Sequence, residues 1–366
     1  MHNRYKVVSL KELEADRRVS ETGPPLWSID SGELILGHYL LTGRSIIAES
    51  LHENFDESWL RYWTTKRGHT FGGASATDLK IEDRGKYLLS NTPLTAKKFV
   101  DSEVYLFQYT YDHNFYHFLM TALPRIQYFL SESFRGVKLL VRERTPDYQL
   151  ELIRYLVPED RWLRVQEEVH YQFPKVWISG FPQSYGLEFV DSFYSALDFR
   201  SAAPTRLNCQ AIYLSRDDEP NKRPLKNSSE LAELMREFGL EETVMSDISL
   251  PERISLLKNV SVIAGVFSAG FANLVFARKC KVAIYIEHPI YLVPWEIVRL
   301  CELRGTRLLV VSHSAIKRSL YKAIAALHRS RSRSSLSNAT DSIPWAINQR
   351  KVRRLMKKVF REELKS

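Results

Sequence analysis

The chain has 366 residues and 42.6 kDa, enough for two domains and an appendage. Its 44% hydrophobic, 26% charged and 12% aromatic residues, with 15 Gly and 15 Pro, exclude a disordered, collagen-like or membrane-embedded body. The net charge is +9, but of 52 Lys and Arg and 43 Asp and Glu, eleven and three fall between Ala326 and Ser366, which leaves 41 and 40 in the rest. The body is near neutral and the basic character belongs to the tail, so nucleic acid is not the expected partner.

The N-terminus, MHNRYKVVSLKELEADRR, lacks the apolar stretch of about 7 to 15 residues that a secretory signal requires. The cysteines, Cys209, Cys280 and Cys301, are odd in number and form no CxxC, so neither a disulfide framework nor a zinc knuckle is expected. The chain reads as cytoplasmic, and the sequons at Asn227, Asn259 and Asn338 then carry no weight.

The first hundred residues predict strands and turns, with an apolar run Leu34 to Leu41, a turn around Thr42, Gly43 and Arg44, and a second run Ser45 to Ala48 forming a hairpin. From Val104 short apolar runs alternate with amphipathic stretches: VYLF, NFYHFLMTALPRIQYFL, VKLLV, DYQLELIRYL and VWISG. That alternation predicts βαβ units and a parallel sheet. A second series begins after Pro204 to Leu207 with the strand QAIYLS and the helix SELAELMREF, which Gly239 stops. ETVM (strand), Leu250 to Lys258 (helix), VSVIAG (strand), ANLVFA (helix), KVAIYIE (strand), Trp295 to Leu303 (helix) and RLLVV (strand) complete it. Capping boxes are expected where Asn227 precedes Glu230 and Ser249 precedes Glu252.

Asn259 to Ala277 carries no charge for nineteen residues, yet its Gly265, Ser268, Gly270 and Asn273 suit a strand, tight turn and helix better than a membrane span. HRSRSRSSLSNATDS, from His328, reads as a flexible linker, and Pro344 is expected to open a last amphipathic helix. Its stripe of Trp345, Val352, Leu355, Met356, Val359 and Phe360 faces a dense set of Lys and Arg. Such a helix, over residues 344–363, either lies on an anionic membrane surface, at the inner face of a membrane, or docks on the protein's own body.

Candidate chemistry gathers at strand ends. The strand AIYLS ends in Arg216, with Lys222, Arg223 and Asn227 before the next helix, and guanidinium forks suit phosphate oxygens. Gly265 to Asn273, GVFSAGFAN, lies between strand and helix, where small residues let an anion approach backbone N–H groups. KVAIYI ends in Glu287-His288, where a carboxylate suits ribose hydroxyls or is simply a solvated strand end.

In order and spacing, YLSR, the following Arg and Asn, SxAGFANLVF and YIE resemble the C-terminal half of the family 61 glycosyltransferases, a capsular polysaccharide biosynthesis type. Asn114-Phe115-Tyr116-His117-Phe118-Leu119 and Ala122-Leu123-Pro124-Arg125 look like that family's NYYHWLLEALPRL segment. The resemblance covers roughly residues 30 to 312. It implies an α/β, GT-B-like architecture with a β-rich N-terminal extension and a basic helical tail: residues 1–204 an acceptor-side domain, 205–327 a nucleotide-sugar-binding Rossmann-like domain, and 328–366 the linker and helix. It implies an inverting transferase that moves a sugar from a nucleotide sugar to a glycan or lipid-linked glycan acceptor, with no metal and no cofactor. By that likeness Arg216, Arg223 and Asn227 lie at the nucleotide sugar, the two arginines facing its diphosphate. Ser268, Ala269 and Gly270 form the anion-binding turn, Asn273 braces it, and Glu287 holds the ribose.

An inverting transfer also needs a general base for the acceptor hydroxyl. His117 is the first candidate because an unperturbed imidazole titrates near neutral pH. Asp112 and His113 are alternatives, and Asp112 is equally a helix N-cap. The chain departs from the family pattern at Phe267, where a His is usual, at Ser268 for the next Gly, at Thr121 for an acidic residue, and at Ser228 for a Glu. These departures motivate a second expectation: a degenerate member that binds glycan or nucleotide without catalysis.

Overall fold

The computed structural model describes residues 3–8, 16–18, 24–35, 39–42, 45–47, 79–82, 87–90, 97–109, 114–167, 169–182, 186–197, 209–216, 223–332 and 343–363. The expectations placed on Gly43, Arg44, Asp112, His113, Lys222 and residues 333–342 lie outside them. Two compact units divide the chain, Met1–Leu197 and Asp198–Ser366.

The first unit carries two sheets. One has eight strands in the order Leu79–Glu82, Tyr87–Ser90, Asn3–Val8, Ser45–Ile47, Tyr39–Thr42, Glu33–Ile35, Tyr171–Gln172, Lys98–Phe99. The expected hairpin is present, Leu41 opposite Ile46 and Thr42 opposite Ser45. The run Leu34 to Leu41 is not one strand, because Glu33–Ile35 folds back antiparallel on Tyr39–Thr42.

The second sheet contains β1 (Asp16–Arg18), β2 (Leu26–Asp30), β3 (Val104–Leu106), β4 (Lys138–Arg142), β5 (Trp162–Val165) and β6 (Lys175–Ser179), in the order β5-β4-β3-β6-β2-β1. β3 to β6 are parallel, and β2 adds antiparallel to β6. Helices α1 (Asp147–Leu156) and α2 (Leu187–Ala196) follow β4 and β6. Val104, Leu106, Leu140, Val176 and Ile178 share one core with Leu34, Leu40 and Ile47 of the other sheet. Near-continuous apolar strands such as VYL are what a sheet covered on both faces requires.

The stretch NFYHFLMTALPRIQYFL is not one α-helix. Asn114 accepts a hydrogen bond from the Tyr116 N–H at 2.9 Å and so is the N-cap, the role weighed for Asp112. The backbone then runs as an α-turn (Phe115–His117), a π-turn (Phe118–Ala122) and a 3-10 segment (Leu123–Gln127). Pro124 explains the break: it has no N–H to return to the preceding turn, and its ring crowds that turn's carbonyls.

Arg125, in this segment, is fully buried, and its guanidinium donates to the carbonyls of Phe107 at 3.1 Å and Ser179 at 2.7 Å, with the Phe181 ring 4.5 Å away. Phe107 follows β3 and Ser179 ends β6, so one side chain ties the strands where the sheet order reverses. Arg125→Met keeps the apolar stem but strands two buried acceptors. The expected loss is about 3 kcal/mol, read as a lower urea midpoint, while an unchanged midpoint would show that other donors replace the guanidinium.

The second unit is a five-stranded parallel sheet of β7 (Ala211–Leu214), β8 (Glu241–Thr243), β9 (Val262–Val266), β10 (Val282–Ile286) and β11 (Arg307–Val311), in the order β8-β7-β9-β10-β11. The connections hold α3 (Ser228–Glu237), α4 (Leu250–Asn259), a 3-10 helix (Ala269–Phe276) and α5 (Trp295–Arg304), followed by α6 (Ala315–Ser332) and, near the end, α7 (Gln349–Glu363). Gly239 ends α3 at φ 77°, a left-handed conformation, with Leu240 N–H returning to the Met235 carbonyl at 3.1 Å. The uncharged stretch from Asn259 is split between β9 and the 3-10 helix, and among the described residues no helix is long and apolar enough to cross a membrane.

Three local expectations are corrected. Neither capping box forms as drawn: the Ser249 hydroxyl meets the Glu252 carboxylate at 2.7 Å instead of a backbone N–H, and the Asn227 amide is spent on Ile347. Residues 328 to 332 are not linker, because α6 continues through Ser332. Pro344 does not open the last helix, which starts at Gln349 and leaves Trp345 in an extended strap. Of the two expectations for α7, its apolar stripe docks on the unit: Val352, Met356 and Val359 are buried with Trp345 and Ile347 in the same core as Leu231, Met235 and Ile284. Lys and Arg at 350, 351, 354, 357, 358 and 361 remain exposed.

Candidate functional site

In chain order the strands of the second unit stand 2-1-3-4-5, so the connection out of β7 runs to one side of the sheet and β9 returns to the other. At such a reversal the connecting backbones diverge and leave a crevice beyond the carboxyl ends of the strands. Leu214 of β7 pairs with Gly265 of β9, and Val266 of β9 with Ile286 of β10. Register alone therefore sets Arg216, Phe267 and Glu287 side by side at this edge.

Arg216 donates from Nη1 to the Phe267 carbonyl at 2.7 Å, crossing from the end of β7 to the turn after β9. Arg223 has φ 53°, a left-handed backbone that is strained for a residue with a side chain. Its guanidinium lies 4.9 Å from the centroid of the Phe267 ring and 5.8 Å from that of Tyr291, and those two rings stack 5.0 Å apart at 13°. Thus Phe267, standing where the family pattern has His, makes an aromatic floor for a cation. Both arginines, Phe267, Ser268, Ala269 and Gly270 are half-buried, neither sealed nor fully solvated.

The turn itself is held from within. Asn273 donates from Nδ2 to the Gly270 carbonyl at 2.9 Å. Ser268, in extended conformation, precedes the 3-10 helix without capping it through its side chain, so the hydroxyl is not committed to that helix's own N–H groups. Gly265 is required by close approach: a Cβ there would meet the Phe271 ring at 2.9 Å and the Leu214 Cβ at 3.1 Å. A larger residue would push the turn away from β7 and Arg216.

Glu287 sits beside these groups in a different state from the solvated strand end or the ribose acceptor expected. It is 4% exposed, ion-paired with Arg318 of α6, and accepts the Val293 N–H at 3.3 Å. Asn227 likewise turns from the strand ends: its amide donates to the Ile347 carbonyl and accepts the Ile347 N–H, both at 3.0 Å. The structure brings together Arg216, Arg223, Ser268, Ala269, Gly270 and Asn273; Glu287 and Asn227 stand at the rim of this group, engaged by residues of the C-terminal part of the chain.

His288, quoted beside Glu287 in the sequence without a role, is fully buried among the rings of Phe267, Tyr291, Tyr321 and Trp345. Its Nδ1 accepts the Ile290 N–H at 3.2 Å, which assigns the proton to Nε2. Burial, reinforced by the charges of Arg223, His313 and Arg216, pushes its pKa down to about 3. His313, whose Nε2 donates to the Glu287 carbonyl at 2.9 Å, is pushed down to about 4, chiefly by burial. In the unfolded chain a histidine protonates below about pH 6.5. The unfolded state therefore binds the extra proton as pH falls from 6.5 toward 3, and stability present above 6.5 is lost through that window at up to about 1.4 kcal/mol per pH unit for each such group. His288→Phe should flatten the fall in unfolding free energy between pH 7 and 5 by about 2 kcal/mol, measured by urea titration at each pH. A parallel pH profile would show that His288 takes a proton in the folded protein.

In the first unit, His117 is the last residue of the α-turn, half-buried, with its ring 5.7 Å from that of Tyr116. Thr121 is wholly buried in the π-turn that follows, so no hydroxyl of it faces solvent. Asp112 and His113 lie outside the described residues. Among the described residues no three His, Cys, Asp or Glu converge as a metal cluster.

The second unit is an α/β fold with an open parallel sheet, two arginines and a small-residue turn at its reversal point, and the charge there suits an anion. Residues 115–284 match the model of the family Glycosyltransferase 61. That segment is a glycosyltransferase family 61 domain. The match runs from Phe115 of the helical stretch into β10, taking in His117, Arg216, Arg223 and the turn at Gly270. Comparison with curated proteins finds none that matches. Glu287, His288, His313, Arg318 and Trp345 all lie beyond the matched segment. Sequence reasoning gave His313 and Arg318 no role and placed Trp345 in the stripe of the last helix, because each makes its contacts with residues far away in the chain; only the adjacency of His288 to Glu287 offered a signal.

Proposed function

We propose that the protein is an inverting, metal-independent glycosyltransferase of GT-B type, moving a sugar from a nucleotide donor to a glycan or lipid-linked glycan in surface polysaccharide synthesis. The observation that carries this reading is the convergence of Arg216, Arg223 and the Phe267–Gly270 turn at the reversal point of the sheet. Two cations and backbone N–H groups there would neutralise the diphosphate as it leaves, the electrostatic contribution that acyl- and phosphoryl-transfer sites obtain from preorganised donors. His117 serves as the general base; its support is a half-buried imidazole at an α-to-π transition, a distortion frequent at functional sites. Release of a nucleoside diphosphate from a panel of sugar nucleotides, dependent on added glycan acceptor, tests the reading; no release from any donor overturns it.

The second reading, a binding protein without turnover, is favoured by Thr121 being buried and uncharged and by Glu287 being committed to Arg318. Tight donor binding by calorimetry with no diphosphate release would establish it. For attachment to an anionic membrane α7 offers its exposed basic face and not its apolar stripe, which is in the core. Such attachment is electrostatic, on the order of 1 kcal/mol per basic residue, and screened by salt.

A further inference from the structure

We infer that Trp345, outside the family-matched segment, is a positioning residue for Arg223, and that the C-terminal strap completes the donor site; the inference rests on the reading of Arg223 as a diphosphate cation. The indole Nε1 of Trp345 donates to the Arg223 carbonyl at 2.9 Å. Its own backbone is laced to the same loop: Trp345 N–H donates to the Pro224 carbonyl at 3.0 Å, and Lys226 N–H donates to the Trp345 carbonyl at 2.8 Å. Two residues on, Ile347 is gripped by the Asn227 amide. The loop from Arg223 to Asn227 is therefore paired along its length with residues 345 to 347, one isolated parallel bridge between Leu225 and Trp345 lying at its centre.

This pairing has a consequence for Arg223 in particular. A left-handed backbone at a residue with a side chain persists only where its surroundings over-determine it. The carbonyl that Trp345 holds belongs to the strained residue itself, and its orientation fixes ψ at 223 and so the direction in which the chain leaves it. The Trp345 ring is 3% exposed and packs against His288 at 5.0 Å and His313 at 5.7 Å. It is thereby seated on the same rings, through His288, that lie under the Arg223 guanidinium. Without the indole N–H, the loop is expected to relax out of the left-handed region and carry the guanidinium off Phe267.

Trp345→Phe removes the N–H and keeps a ring; 3-benzothienylalanine at 345 removes it with the shape unchanged, should the Phe variant not fold. Calorimetry with uridine and guanosine diphosphate is expected to show roughly five- to tenfold weaker binding of whichever nucleotide the wild type binds, the effect of one net hydrogen bond. In a transfer assay the same variants should raise the donor KM and also lower kcat, because Arg223 meets charge that grows as the diphosphate leaves, whereas Tyr321→Phe should change neither. Tyr321→Phe is the control, since it deletes a hydrogen bond to the same strap, at the Ile343 carbonyl 2.6 Å away, without touching Arg223. It should leave nucleotide affinity within twofold. In an Arg223→Ala background, the loss at Trp345 should vanish if it acts through Arg223. Full additivity in that background, or an unaffected affinity in the 345 variants, overturns the inference while leaving the donor reading intact. Unchanged nucleotide binding in Arg216→Ala and Arg223→Ala overturns the donor reading instead.

Discussion

Arg216→Ala is expected to lower glycosyl transfer by about 10² to 10³ in kcat/KM, the range for removing one preorganised donor from a site where charge develops. Two losses combine in it. The guanidinium contributes charge at the place where a departing diphosphate would sit, and it anchors the turn, since its Nη1 holds the Phe267 carbonyl at 2.7 Å. Arg216→Lys separates them: a lysine restores the charge but cannot hold a carbonyl and an anion with one planar fork. Partial recovery by Lys, with kcat rising more than KM falls, is the expected result on acceptor-dependent diphosphate release. If Arg216→Ala transfers as fast as the wild type, the cationic crevice is not where the diphosphate leaves.

Truncation after Ser332 is expected to unfold the second unit and not merely to free it from a tail. Trp345, Ile347, Val352, Met356 and Val359 are all under 9% exposed and belong to the core that β9, β10 and α3 share. Each such side chain contributes roughly 2 kcal/mol by burial, so their joint removal exceeds the margin by which domains are stable. Asn227, Lys226 and Arg223 would lose their strap partners as well. Near-ultraviolet circular dichroism and limited proteolysis should report a disordered second unit with the first intact; a folded truncated protein with native dichroism would refute the account. It follows that deleting the tail cannot isolate a membrane role. Charge reversal on the exposed positions 350, 354, 357 and 358 is the variant that leaves the core alone.

Much of the fold was legible because the strands are short apolar runs and the helices carry a 3.6-residue stripe: QAIYLS and KVAIYIE each contain the strand observed, VSVIAG holds all but the last residue of its strand, and α1 and α4 fall where their spacing puts them. The helical stretch from Phe115 was not, because one proline changes which carbonyls can be paired without changing the apolar period. Within the site, Arg216 and the turn at Gly270 were readable because parallel register follows from strand order. The partners of Glu287 and Asn227 were not readable, since Arg318 and Ile347 lie 31 and 120 residues away.

The amino-acid order by itself determined the alternation of strand and helix, the place of the cations at strand ends and the likeness to one transferase family, because each depends on residues within a turn or two of one another. Only the tertiary structure decided that α7 belongs to the core, that Trp345 is strap and not helix, that Glu287 is already paired, and that His288 is held neutral. Those outcomes depend on which distant side chains compete for the same buried space and the same few unpaired backbone groups, and such competition is settled by burial and geometry in three dimensions.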